Sequence, residues 1–203
     1  MIPELGQLCL ILALCLAACQ AVFSLIGAHR NQPGLMAAGP AAATGQFVFV
    51  AGAFGLLAWS FMTNDFSVLY VATNSNTRLP DMYRFAAVWG GHEGSLLLWV
   101  LVLAIWTMAV IAFSRSLPRT IAARIVGVMG AISIGFLAFI LFTSNPFIRL
   151  SPVPFDGNDL NPLLQDFAMA LHPPMLYMGY VGFSVAFAFA VAALLDGRVN
   201  QEW

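Results

Sequence analysis

Lysine is absent from the 203 residues, and charged residues of every kind make up only 8% of them. A soluble domain carries roughly a quarter charged residues. A chain that is 61% hydrophobic has too little polar surface to cover itself in water, so it reads as an integral membrane protein. The eight basic residues are all arginine and scattered. They leave no basic cluster to hold a phosphate backbone, which excludes nucleic acid as a partner. Cysteine is scarce too. Cys9, Cys15 and Cys19 share one apolar run with no CxxC pair, so packing rather than disulfide or metal chemistry is expected of them. The "LAAC" ending at Cys19 is like a lipoprotein cleavage box. A secretory signal needs a positive n-region, however, and Glu4 is the only charge before the run; the first segment therefore reads as retained. Motifs for hydride transfer, phosphoryl transfer and zinc proteolysis are missing. Ionisable groups in the middle of the apolar runs, which a proton pump or transporter would need, are missing as well.

The gaps between charges are what remains. A spanning helix needs about 20 mostly apolar residues, and lone strands cannot satisfy their backbone groups in lipid. Five gaps are long enough, giving expected spans over 5–27, 41–63, 94–114, 123–144 and 174–195. The expected fold class is therefore an all-α, polytopic transmembrane helix bundle, with residues 1–203 forming a single transmembrane domain. Arg30, Arg115, Arg119, Arg124 and Arg198 fall on one side in short loops, whereas Arg78, Arg84 and Arg149 are spread over longer connections on the other. The arginine-dense side should be cytoplasmic. The N-terminus and the long loops 64–93 and 145–173 then face the opposite side, with seven of the nine acidic residues.

Those two loops are where chemistry is expected. The first ends "VWGGHEGSLLLW", with His92 and Glu93 just after a glycine pair. Glu93 suits a helix N-terminus, and Trp89 and Trp99 read as interface anchors. His92 has two readings: a hydrogen bonder against the glycine turn, or a metal or haem ligand. "HEGS" is not HExxH. The second loop holds "DGNDLNPLLQDFAMALHPP". "DGND" lacks the ligand spacing of a calcium loop and reads as a turn. Asn161 suits an N-cap and Pro162 a first helical position, and Leu163, Leu164, Phe167 and Leu171 recur at helical spacing. They predict a short amphipathic surface helix, with Asp166 facing water or a partner. His172 precedes Pro173 and Pro174. The residue before a proline is pushed from the α region, so the surface helix should stop there and leave His172 on a stiff corner before the fifth span. Such a histidine is either an interfacial hydrogen bonder or an axial ligand to haem iron.

"WGGHEGSLLLW", "FTSNPF", "DGNDLNPLLQD" and "LHPPMLYMGYVGF" resemble the N-terminal part of the CcmF family, and the likeness runs from "MIPELGQ" onward. These are haem lyase subunits of the bacterial cytochrome c maturation system, in the haem-handling protein superfamily. The resemblance implies a multi-pass inner-membrane protein with its functional loops facing the periplasm. Its expected activity is covalent attachment of haem b to the CXXCH motif of apocytochromes c. Haem would come from the holo-CcmE chaperone, and CcmH and CcmI type subunits would be neighbours in the membrane lipid. In the family, two periplasm-facing histidines hold the iron beside a tryptophan-rich "WWD" segment, and a second histidine pair holds a structural haem b. His172 matches the first periplasm-facing ligand. His29 matches no ligand role, and no counterpart of the WWD segment or of the other three ligands occurs in the 203 residues. The expectation is a split subunit or a piece of a longer protein, inactive alone and completed by the remainder of a CcmF. The competing expectation is a structural scaffold module that docks maturation partners without binding haem.

Overall fold

The computed structural model describes residues 1–197. Five of its helices are long and apolar enough to cross a membrane. They are α1 (Ile2–His29), α2 (Pro33–Met62), α5 (His92–Phe113), α6 (Arg119–Thr143) and α7 (Phe167–Asp196). Two short helices, α3 (Leu69–Asn74) and α4 (Asp81–Ala86), lie in the connection between α2 and α5. The described residues contain no strand beyond one isolated antiparallel bridge, Val68 to Arg149.

α1 and α2 form an antiparallel hairpin closed by a tight turn. On α1 the buried seam runs Gly6, Leu10, Ala13, Ala17, Gln20, Ser24 and Gly27. It faces Gly39, Ala43, Gln46, Val50, Ala53 and Leu57 on α2. Small residues dominate the α1 seam and make up half of the α2 seam, and small side chains let helix backbones approach closely where lipid gives no hydrophobic drive for association. Gly27 shows the constraint: a Cβ there would sit 2.7 Å from the backbone nitrogen of Met36. α6 closes on α1 by the same device, with Gly127 and Gly130 against Leu25, Ser24 and Gln20. Gln20 is fully buried and donates to the Val126 carbonyl at 2.8 Å. α5 and α7 pack on the other side of α6, around Leu103, Met129, Val181 and Ala188.

One end of the bundle has short connections and the other long ones. At the long end the two connections fold onto each other. Leu69 N–H donates to Ile148 O and Leu150 N–H to Ser67 O, at 2.9 and 2.8 Å. Asn158 N–H reaches Ala72 O at 2.8 Å. Asp156 accepts the Thr77 hydroxyl at 2.7 Å and its N–H at 3.0 Å, and Asn76 donates to Asp159. Arg149 joins this layer to the start of α1 through Glu4, at 2.7 Å. Asp156 and Asp159 thus hold one connection to the other.

Two expected boundaries are corrected. α2 begins at Pro33 rather than 41 and runs through Pro40. α7 begins at Phe167 rather than 174 and runs through Pro173 and Pro174. A separate surface helix over the "NPLLQDFAMAL" stretch does not form. Pro162–Leu164 makes one 3-10 turn, capped by Asn161, whose side chain accepts Leu163 N–H. The rest of that stretch is the start of α7. The reason is a capping one: Asp166, exposed as expected, also accepts Met169 N–H at 3.1 Å and starts a new helix at Phe167.

Candidate functional site

The site is assembled at the long-connection end from the starts of α5 and α7. α5 starts from a turn that is fixed before the helix begins. Ala87–Trp89 is a 3-10 turn ending at Gly90, and Gly91 is the N-cap of α5. The phenol oxygen of buried Tyr70 accepts Gly91 N–H at 2.9 Å. Burial pushes the phenol's pKa up, so it remains a neutral donor. Gly94 has no room for a side chain, lying against Val88 O and the Tyr70 ring. The bracing role expected of His92 therefore belongs to Tyr70, which no local sequence pattern marks.

His92 is the first residue of α5. Its Nδ1 lies 3.2 Å from the hydroxyl of Ser144, the C-cap of α6. Its ring meets Phe139 edge-to-face at 6.0 Å. Beside it, between α5 and α6, runs an open groove of about 530 Å³ lined by His92, Leu96, Ile132, Gly135, Phe136 and Phe139. Glu93 stands in the first turn of α5, where the helix dipole favours a negative charge.

His172 lies in the second turn of α7, not on a corner. It is exposed, and among the described residues its ring makes no hydrogen bond. Met175, Leu176 and Phe183, exposed beyond it, continue an apolar face. A helix N–H normally donates four residues back. Pro174 has none, so the Ala170 carbonyl loses its partner. Trp89 supplies the replacement, donating its indole N–H to Ala170 O at 2.9 Å. Trp106 adds a similar bond deeper in the bundle, to Met178 O at 3.1 Å. Trp99 packs on Tyr177 and Phe136 with ring centres 5.1 and 5.8 Å away. The tryptophans read as interface anchors, Trp89 and Trp99, tie α5 and its leading turn to α6 and α7.

Among the described residues no group of three or more His, Cys, Asp or Glu side chains is placed to hold a metal ion. The donor chemistry at this end is that of single imidazoles: His172 without a hydrogen bond, and His92 held through Nδ1 by Ser144. A free, exposed imidazole on an apolar helix face fits one axial position of a haem iron. The three cysteines all lie within α1.

At the opposite end Arg124, in α6, pairs with Asp196 at the end of α7. Arg124 is thus part of a helix rather than of a connecting loop. Arg198 lies outside the described residues.

The family model for cytochrome C assembly protein matches residues 89–202. The "Cytochrome c-type biogenesis protein CcmF" of Pseudomonas aeruginosa is 63% identical over the whole chain, which covers 31% of that protein. CcmF of Escherichia coli is 55% identical, again over the whole chain and 32% of the relative. A solved structure described as "Cytochrome c Heme Lyase CcmF" superimposes with a TM-score of 0.86 at 28% identity, covering 99% of this chain and 32% of that one. The chain spans about a third of the length of the relatives it matches. With the family model matched over more than half of its residues, the chain belongs to the cytochrome C assembly protein family.

Proposed function

We propose that this protein is a haem-handling part of a cytochrome c haem lyase, with His172 an axial ligand to the iron of haem b. The observation that carries the reading is the free imidazole of His172 on the exposed apolar face of α7. It stands at the end of the bundle where the two long connections meet. Likeness to CcmF proteins over every residue supports the activity.

Haem is the substrate, and its vinyl groups accept the cysteine thiols of a CXXCH apocytochrome. The part of His172 is to hold haem at a fixed place and angle, which lowers the entropic cost of bringing thiol and vinyl together. Imidazole ligation also sets the iron's preference between its oxidation states. The cysteines of α1 take no part. The arginines of the short-connection end support a cytoplasmic setting for that end, with the His172 end facing the periplasm across the inner membrane. There haem would arrive from holo-CcmE, with CcmH and CcmI type subunits presenting apocytochrome. In this reading residues 1–203 form a single transmembrane domain that works together with the remainder of a CcmF.

The test is haem attachment in cells lacking the native lyase and supplied with the complete protein. His172→Ala is expected to abolish covalent c-type cytochrome, whereas His29→Ala leaves it unchanged. Normal attachment with His172→Ala would leave the chain as a scaffold that docks maturation partners.

A further inference from the structure

We infer that Trp89 is a positioning residue for His172, acting through the carbonyl that Pro174 leaves without a partner. The inference rests on the reading of His172 as a haem ligand.

Two consecutive prolines in the second turn of α7 remove two of the helix bonds that would stiffen its start. A helix so interrupted bends easily, and its first turns carry His172. The Trp89 indole restores one of the two lost bonds, at 2.9 Å. Ala170, whose carbonyl it binds, is buried at 7% exposure, while His172 is exposed. Two residues turn a helix through roughly 200°. Fastening the Ala170 side therefore directs the His172 side outward.

Trp89 is itself held from several directions. Its carbonyl accepts the Ser95 hydroxyl at 2.8 Å, and its ring meets Phe85 edge-to-face at 5.4 Å. The turn it closes is braced by Tyr70 through Gly91. The indole is thus a rigid arm from the start of α5, and the direction of the imidazole depends on it. Partners that orient a metal-binding histidine from outside the coordination shell typically change affinity 10–100-fold when removed.

The test is made on the complete, haem-loaded protein. Haem retention, the Soret band and the midpoint potential are measured for Trp89→Phe, Pro174→Ala, the double variant and His172→Ala. Trp89→Phe removes the N–H and keeps a ring. Pro174→Ala returns a backbone donor to Ala170. The expected result is roughly tenfold weaker retention with a shifted potential in Trp89→Phe, near-native behaviour in Pro174→Ala, and recovery of most of the loss in the double variant. A double variant as impaired as Trp89→Phe overturns the inference, because the missing bond is then not the cause. So does a native spectrum and potential in Trp89→Phe while His172→Ala loses the band. If His172→Ala itself leaves the spectrum and potential unchanged, the ligand reading fails and the inference falls with it.

Discussion

The phenol oxygen of Tyr70 joins the two sides of one turn: it accepts the N–H of Gly91 at 2.9 Å and donates to the carbonyl of Val88 at 3.1 Å. Tyr70→Phe keeps the ring packed against Phe61 but leaves that N–H and carbonyl without their partner. A buried group stripped of its partner costs about 1–3 kcal/mol. Thermal unfolding in detergent should register a loss of that size, with faster amide exchange at Gly91. Native exchange at Gly91 would show that the turn holds itself.

Gly94 and Gly55 make a contrast within one sequence. Gly94 lies against Val88 O and Tyr70, whereas a Cβ at Gly55 would meet nothing within 4 Å. Gly94→Ala must push α5 away from the turn before it and is expected to cost about 1–3 kcal/mol. Gly55→Ala, in the open interior of α2, should be neutral or stabilising by up to about 1 kcal/mol. Equal melting temperatures for the two variants would contradict the packing described for α5.

Arg124 and Asp196 join α6 to α7 at the short-connection end, and both are largely shielded, at 16% and 20% exposure. Each sits near the helix end whose dipole disfavours its charge, so each depends on the other. Removing either one is expected to cost about 2 kcal/mol, between the values of exposed and buried pairs. The exchanged pair Arg124→Asp with Asp196→Arg should recover part of it. Additive losses in the double variant would mean that the two charges act separately.

Asp156 gives the fold a dependence on pH. The Thr77 hydroxyl, then the Thr77 N–H, holds its carboxyl below the ordinary carboxylate range. A group whose pKa is lower folded than unfolded stabilises the fold above its unfolded value, about 3.9 for Asp, and that contribution is lost as pH falls through the folded value. Amide protection at Thr77 and Gly157 should therefore be constant from neutral pH down to about 4 and decline below it. Asp156→Asn should remove that decline along with part of the protection. A decline already present near pH 6 would point to another group.

The five spans were legible because charges punctuate the apolar runs, and every expected span overlaps one long helix. The errors lie beside prolines. Pro173 and Pro174 read as a helix limit, yet α7 passes through both, and α2 passes through Pro40, just before the expected start of its span. In an apolar surrounding a helix is the cheapest way to satisfy a backbone, and a missing bond can be supplied from elsewhere, as Trp89 does for Ala170. His172 was legible as a candidate and its setting was not. The stiff corner expected from "HPP" is a helical turn held by a side chain 81 positions away from the carbonyl it binds. The pairing of Asp156 with Thr77 was equally invisible, since 79 positions separate them and neither lies in a repeating pattern. Asn161 and Glu93 were legible because caps and helix dipoles act within one turn.

The visible absorption spectrum of the complete protein, purified from its native membrane in mild detergent beside His172→Ala and His92→Ala, tests the central claim most directly. The expected result is a Soret band that is lost or shifted in His172→Ala and retained in His92→Ala, whose ring lies in the groove between α5 and α6 against Phe139 rather than on the face of α7. Identical spectra from folded native and His172→Ala proteins would contradict the account.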